Sequence, residues 1–463
     1  MTWQRKLYRF LTNRFALSAV LFLLVITVGA FSALFGVVDS KTACAGYALP
    51  TLVKADPTRP HGQPVAVPLT ARALNTPAPV ASWAERVTKK TAAAESAVQT
   101  ALTDQHTLIQ LYGAFQAFTD RTVVEDTADP TYSVVRLDSG TLAFTVDSAS
   151  RPASQAATLK RLQHALDTRN ISLLYLQAPA KMAPGNDVLP YGVADSGNQN
   201  ADALLRLLEE KDIDCLDFRQ TLLDAGGDWP DWFYTTDHHW NQEAAFTAFQ
   251  ALCGKLTDYD QTSTVSRGTK RRPITIDEKW TQRESYDITT VPSSFLGSQG
   301  KRVGSFYAGL DDFDLWTPKY PTLLRYTATN PASHGGAEDT VLFPVRLEET
   351  DPFKGNLYTY YAGGDYGYTT ITNYYNPQGP RILLVRDSYA CAITPYLAYS
   401  CSELIIIDPR YFHGNFLQQV DWTAPDVVLV MYSPGTLRTD AAFSFLSQPD
   451  PPSKSDALRW LAD

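Results

Sequence analysis

The chain of 463 residues carries 49 acidic against 40 basic side chains, a formal net charge of -9, with 19% charged and 44% hydrophobic residues. That balance supports a sizeable core and makes nucleic acid or an anionic lipid surface an unsuitable partner. Outside the N-terminal segment, roughly 420 residues remain, enough for one large or two modest domains.

The 23 residues from Phe15 to Val37 carry no charge, and at about 1.5 Å per residue they can cross a hydrocarbon layer of about 30 Å. Arg5, Lys6, Arg9 and Arg14 precede them, whereas Asp39 and Lys41 nearly cancel on the far side. The asymmetry predicts a cytoplasmic tail over residues 1–14, a single-pass anchor in the cell membrane over 15–37 and an extracytoplasmic remainder. Ala43-Cys44-Ala45 has the small residues of a signal-peptide cleavage site, but an apolar core of this length favours a retained anchor. Seven prolines between Pro50 and Pro79 then read as an extended stalk over 38–81.

Residues 82–150 read as an N-terminal extension. They show helix-like patterning from Ser82 to Ala117 and a hairpin from Tyr132 to Val146 about Asp138-Ser139-Gly140. From residue 151 to 257 the pattern alternates: a helix over Ala153 to Asp167, a strand over Ile171 to Leu176, a helix over Asn198 to Lys211, a strand over Ile213 to Leu216, and a helix from Asn241 through Ala251. Residues 258–350 lose this rhythm, gain Gly, Pro, Thr and Ser, and read as an insertion. Between 351 and 463 the rhythm resumes, with strands at Ile382 to Val385, Leu404 to Ile407 and Val427 to Met431 and a helix after Ser388. The expected fold class is α/β, a mostly parallel sheet flanked by helices. Five cysteines in an oxidising compartment permit two disulfides, with Cys215/Cys253 and Cys391/Cys401 the local candidates.

Two short segments carry chemistry. Asp237-His238-His239-Trp240 supplies a carboxylate and imidazoles in one turn of chain, and Ser388 follows an apolar strand at the point where strand gives way to helix. Ligands of open α/β sheets bind beyond the carboxyl ends of strands, where a serine is exposed beside backbone N–H groups. A serine nucleophile needs a base and the base needs an orienting carboxylate, which Asp237 and one of the histidines can provide. No two cysteines stand at zinc-finger spacing, and adjacent histidines do not form the i, i+4 pair of a helical metal site, so neither metal nor cofactor is expected. Lys181 reads as a rim or solvated loop residue. Asp387 reads as a turn-capping residue. The tyrosines from 358 to 375, with Arg410, are candidates for holding a carbohydrate.

Thr236-Asp237-His238-His239-Trp240, Gly363-Gly364-Asp365, Arg386-Asp387-Ser388-Tyr389-Ala390 and Asp408-Pro409-Arg410-Tyr411-Phe412 give the chain a further character. Over roughly residues 150 to 435 it resembles the DHHW proteins and the related alginate O-acetylation proteins, whose SGNH-hydrolase-like domain is circularly permuted so that the Asp/His pair precedes the serine. The resemblance implies Ser388 as nucleophile, His239 as base and Asp237 as its partner, because relatives with an Asp-x-His-Trp version keep only the second histidine. Arg410, Trp240, Tyr389, Gly363 and Gly364, which lie within these blocks, are the candidate substrate-binding residues. Arg386 stands where a glycine precedes the Asp-Ser pair in the familiar block. The implied activity is acyl transfer, commonly O-acetylation of a cell-surface polysaccharide, with a multi-pass membrane O-acyltransferase as the acyl-delivering partner. A secreted esterase with the same three residues and a noncatalytic polysaccharide-binding scaffold are the two other readings.

Overall fold

The computed structural model describes residues 105–446 apart from 127–128, 147–149, 186–188, 263–273 and 331–332. The anchor and stalk expected between residues 15 and 81 lie outside the described residues. Among the described residues no helix is long and apolar enough to cross a membrane. The chain divides at Asp120 into two units. Of the first, the helix α1 (Gln105–Phe118) is described; all that follows concerns the second.

Eight strands build the main sheet: β1 (Ser172–Gln177), β2 (Cys215–Asp217), β3 (Leu324–Asn330), β4 (Ser333–Glu338), β5 (Tyr368–Asn373), β6 (Arg381–Arg386), β7 (Glu403–Ile407) and β8 (Val427–Tyr432). Their spatial order is β2-β1-β8-β6-β7-β5-β3-β4. The first five in this order run parallel, and β5, β3 and β4 continue the sheet antiparallel. The α/β class holds, but the sheet is mixed where a mostly parallel one was expected. Strands β3 and β4 come from the stretch 258–350, whose polar alternation conceals them: Leu324, Tyr326 and Ala328 are buried while Arg325 and Thr329 are not. Such one-faced patterning belongs to antiparallel strands, whereas parallel strands covered on both faces read as apolar runs. Every residue of β1 and β8 is buried.

Alternate residues of the parallel strands enter two cores, as the period of two requires. Leu173, Tyr175, Leu383, Val385, Ile405, Val428 and Val430 pack with helices α2 (Pro152–Asp167) and α3 (Gly197–Glu209) and with Phe416 and Val420. Leu174, Leu176, Leu384, Ile406, Leu429 and Met431 pack in the other core with α4 (Phe218–Ala225), α5 (Gln242–Thr262) and α6 (Thr394–Ser400). Pro152 occupies the first turn of α2, where its missing N–H leaves no hydrogen bond unmade. Asn241 caps α5 through Oδ1, which accepts from Ala244 N at 3.1 Å. The expected hairpin is present: Val135 opposes Ala143 and Arg136 opposes Leu142, about a turn in which Gly140 takes φ 85°. A separate two-stranded ribbon joins Tyr286–Phe295 to Asp311–Pro318.

Candidate active site

The carboxyl ends of β1, β6, β7 and β8 open onto one cavity of about 520 Å³, lined among others by Lys181, Ser388, Arg410 and Ser433. Segments about 150 positions apart in sequence meet there. His239 Nδ1 and Asp237 Oδ1 are 2.5 Å apart, and His239 Nε2 lies 2.8 Å from Ser388 Oγ. This geometry assigns the ring hydrogen to Nδ1, donated to the carboxylate, and leaves the Nε2 lone pair to accept the serine hydroxyl. Asp237 and His239 are buried, at 3% and 6% exposure. Burial alone would raise the Asp237 carboxyl. The adjacent His239 and His238, with hydrogen bonds from His239 and from Ser298 N–H, outweigh it and hold the group well below the usual carboxylate range.

The turn carrying Asp237 is braced from elements that the sequence did not mark. Asp311 accepts from Thr235 N, Thr236 N and Thr236 Oγ1 at 2.7, 2.8 and 2.6 Å. Ser298 N donates to Asp237 Oδ2 at 2.7 Å, while Gln299 N and Gly300 N donate to Thr236 O. Gly297 presses so closely on this turn that a β-carbon would meet Asp237 Cβ at 2.1 Å. His238 Nδ1 lies 2.6 Å from Ser298 Oγ. Burial, followed by His239 and Lys181, pushes the His238 pKa down to about 3 against the pull of Asp237, although 35% of its side chain is accessible. Asp237, His238 and His239 bring ligand-type atoms within 4.8 Å of one another. The hydrogen bonds just described already engage both Asp237 oxygens, His238 Nδ1 and both His239 nitrogens.

Strand β6 leads directly to Ser388. Asp387 adopts extended backbone and caps the following 3-10 turn, accepting from Tyr389 N at 3.0 Å. Its other oxygen accepts from Ser433 N, Ser433 Oγ and Thr436 Oγ1 at 2.7, 2.8 and 2.7 Å, tying the end of β6 to the end of β8. The turn-capping reading of Asp387 therefore describes its contacts. Tyr389 locks the two motifs together. Its hydroxyl donates to His238 O, and its carbonyl accepts from Trp240 Nε1 at 2.8 Å and Tyr358 OH at 2.9 Å. The Tyr358 ring stacks on His239 with centroids 3.8 Å apart and planes at 8°.

A charged cluster flanks the serine. Arg386 is buried and pairs with Asp365; Asp408 Oδ2 lies 3.6 Å from it, and Gly364 O accepts from it at 2.7 Å. Arg410 holds Asp408 with Nε and Nη2 at 2.9 and 2.6 Å and reaches Asp365 at 2.9 Å. Burial would raise the Asp365 carboxyl, but Arg386 and Arg410 outweigh it and hold the pKa to about 2. Lys181 lines the cavity, as the rim reading expected, but it is not solvated. It is 6% exposed and donates to Leu142 O, Thr235 O and Gln299 Oε1 at 2.6, 2.9 and 3.0 Å. Burial pushes its pKa down to about 7.

Other expected residues stand elsewhere. Trp240 is fully buried and acts on the site through its bond to Tyr389 O, while Tyr389 itself lines the cavity. Gly363 and Gly364 are not on the cavity wall; with φ of 74° and 135° they turn the chain so that Asp365 faces Arg386. Of the tyrosines between 358 and 375, Tyr358 lines the cavity, Tyr360 and Tyr361 are core residues, and Tyr374 and Tyr375 are exposed. Tyr374 and Tyr375 follow Asn373, the end of β5, whose neighbour Thr372 pairs with Glu403 at the start of β7, so they lie at the opposite end of the strands from Ser388. Cys215, Cys253, Cys391 and Cys401 are free thiols, so neither local disulfide candidate is formed.

Among proteins of known kind, residues 139–280 match the family model described as the SGNH hydrolase-like domain of acetyltransferase AlgX. The match takes in the Asp237 to Trp240 cluster and stops before Ser388. No curated protein matches the chain. The structure of Bacillus cereus PatB1 is 21% identical, covers 67% of this chain and 98% of its own, and superposes with a TM-score of 0.54; a form of PatB1 with a sulfonyl adduct gives 0.55. A DHHW family protein from Eubacterium siraeum is 18% identical, covers 69% of this chain and 96% of its own, and gives 0.52. At these identities the likeness is one of fold. Residues 139–280 are thus similar to the SGNH hydrolase-like domain of acetyltransferase AlgX, and the fold is similar to those of PatB1 and a DHHW family protein, the kind that the Asp-His-His-Trp and Asp-Ser segments resemble.

Proposed function

We propose that this protein is an O-acyltransferase that moves an acyl group, acetyl in the first instance, onto a hydroxyl of a polysaccharide through an acyl-enzyme on Ser388. The observation that carries the reading is the unbroken hydrogen-bond chain from Asp237 Oδ1 through His239 to Ser388 Oγ at the edge of an open cavity. Ser388 Oγ bonds to the donor's carbonyl carbon as its proton passes to His239 Nε2. The leaving group departs with that proton. An acceptor hydroxyl then gives its proton to Nε2 and attacks the acyl carbon, and Ser388 Oγ recovers the proton. Asp237 keeps the ring hydrogen on Nδ1 and stabilises the imidazolium formed in each half-reaction. Ser388 N–H heads the 3-10 turn without an acceptor among the described residues and is the backbone donor suited to the developing oxyanion.

The test is mass spectrometry of the purified protein incubated with an activated acetyl ester. An acetyl adduct on Ser388 that chases onto an added oligosaccharide supports transfer. Rapid loss to water with every saccharide, together with stripping of acetylated ones, replaces transferase with esterase; no adduct at all leaves a scaffold. Anchoring by residues 15–37, an extracytoplasmic catalytic unit and a multi-pass membrane acyl-donating partner are part of the same proposal. Reporter fusions at Arg14 and Asp39 must report opposite compartments for it to stand.

A further inference from the structure

One part of the cavity wall takes no part in the hydrogen-bond chain to Ser388. Tyr132 and Phe144 flank the hairpin before β1 and line the cavity together with His238, Ser298 and Arg302. The Tyr132 ring is 40% exposed and meets Phe144 edge-on, with centroids 5.7 Å apart and planes at 80°. Phe144 in turn lies 6.2 Å from the His238 ring. The Arg302 guanidinium rests over Tyr132, 4.1 Å from its centroid, and is held by Asp126 at 2.5 Å. The rings are thus braced before any ligand arrives, which lowers the entropy cost of binding.

His238 adds a directed polar group. Nδ1 pairs with Ser298 Oγ at 2.6 Å, so Nε2 is the remaining ring nitrogen, a donor or an acceptor according to the tautomer. No described residue takes up Nε2. The Tyr389 hydroxyl fixes the His238 carbonyl, so the ring is held on both its backbone and its Nδ1 side. Aromatic faces beside a positioned imidazole nitrogen and a planar cation suit a ligand with an apolar ring face and a hydroxylated edge, the chemistry of a pyranose.

We propose that Tyr132, Phe144 and His238 form a saccharide subsite, in which a pyranose ring packs on the two aromatic side chains and one of its hydroxyls hydrogen-bonds His238 Nε2. That this sugar is the acyl acceptor rests on the reading above; that a sugar binds here does not. The hairpin outside the main sheet thereby shapes acceptor choice, while the strand ends supply the chemistry.

Calorimetric titration of the full chain carrying Ser388→Ala tests the subsite without turnover. The probes are tetrasaccharides of β-1,4-linked glucose, of β-1,4-linked N-acetylglucosamine, and of alternating glucuronate and N-acetylglucosamine. Saturable binding of at least one is expected, weakened about tenfold by Tyr132→Ala and by Phe144→Ala. His238→Leu should weaken it about fivefold, and His238→Gln, which keeps a hydrogen-bonding amide near the Nε2 position, should restore most of the loss. Thermal unfolding of each variant separates a lost contact from a lost fold. Binding by none of the three probes, or equal binding by the wild-type wall and a folded Tyr132→Ala wall, overturns the subsite. Tetrasaccharide binding in a protein whose Ser388 never acquires an acyl adduct keeps the subsite and removes the transferase reading. An adduct that forms while binding ignores this wall does the reverse.

Discussion

Gly297 packs its backbone against Asp237 so tightly that a β-carbon there would lie 2.1 Å from Asp237 Cβ and 2.4 Å from its Cα. Neither partner can yield easily, because Gly297 N donates to Thr236 Oγ1 and Ser298 N to Asp237 Oδ2. Gly297→Ala must therefore push the carboxylate away from His239. We expect acylation of Ser388 to fall at least about a hundredfold, since a displacement of about 1 Å in a catalytic group costs that much. Gly254 offers the contrast: it lies within α5, and a β-carbon added there would meet nothing within 4 Å. Gly254→Ala should leave acylation intact and raise the melting temperature by removing about 0.5–1 kcal/mol of helix penalty. Equal acylation by the two variants would show that the close approach does not position Asp237.

The hydrogen-bond chain predicts how the three residues fail. Ser388→Ala, His239→Ala and Asp237→Ala should each lower acyl transfer by about 10³-fold or more, and the double variant Ser388→Ala/His239→Ala should be no worse than Ser388→Ala alone, because members of a triad act as a unit. Single-turnover rates with an activated acetyl ester measure this. Multiplying losses in the double variant would mean that His239 and Ser388 act independently.

How much of this was legible beforehand follows from what each residue contributes. The central parallel strands print as apolar runs because both faces are covered, so Ile382 to Val385, Leu404 to Ile407 and Val427 to Met431 could be placed within a residue or two. Asp237, His239 and Ser388 were legible because a carboxylate, an imidazole and a hydroxyl announce the proposed chemistry by residue type. Gly297 and Ser298 contribute backbone N–H groups and a close approach, which side-chain identity barely records; the paired glycines of Leu296-Gly297-Ser298-Gln299-Gly300 were the available signal. Asp311 carries none, since its value lies in reaching Thr235 and Thr236 some 75 positions away. Strand β5 buries Thr369, Ile371 and Asn373 on one face, and β3 sets Leu324, Tyr326 and Ala328 among polar residues, compositions shared with loops. Lys181 misleads because a lysine in a loop is ordinarily solvated, whereas three oxygen acceptors draw this one inside.

His238 predicts the protein's response to acid. Its pKa is pushed from 6.5 down to about 3 in the folded state, first by burial and then by His239. The unfolded chain therefore binds the proton more readily, so the stability that His238 contributes is present above about pH 6.5 and drains away as pH falls toward 3. Asp237, also depressed, acts only below its ordinary carboxylate pKa of 3.8, and Asp195, raised by burial, acts above that value with the opposite sign, so the His238 contribution is read as the difference between variant and wild type. Solvent reaches 35% of the side chain, so the effect is moderate. Chemical denaturation at pH 7 and pH 4.5 should show a smaller loss of stability on acidification in His238→Gln than in the wild type. An identical loss in both would place the acid sensitivity elsewhere.

Arg410 and Asp408 make the last prediction, which separates acceptor handling from chemistry. Asp408 is fully buried, and Arg410 holds it with a fork of Nε and Nη2 while 41% of its own side chain remains accessible beside the serine. A lysine cannot reproduce the planar fork, and an alanine leaves Asp408 with Arg386 at 3.6 Å as its compensating charge. Removing one partner of a buried pair costs about 3–5 kcal/mol; the exposure of Arg410 and the presence of Arg386 reduce this, and we expect a loss of about 2 kcal/mol in Arg410→Ala. Because the guanidinium borders the cavity without touching His239 or Ser388, transfer to a saccharide should fall several-fold more than hydrolysis of a small ester, and Arg410→Lys should lie between the two. Proportional loss of both reactions, tracking the fall in melting temperature, would make Arg410 a brace for Asp408 alone.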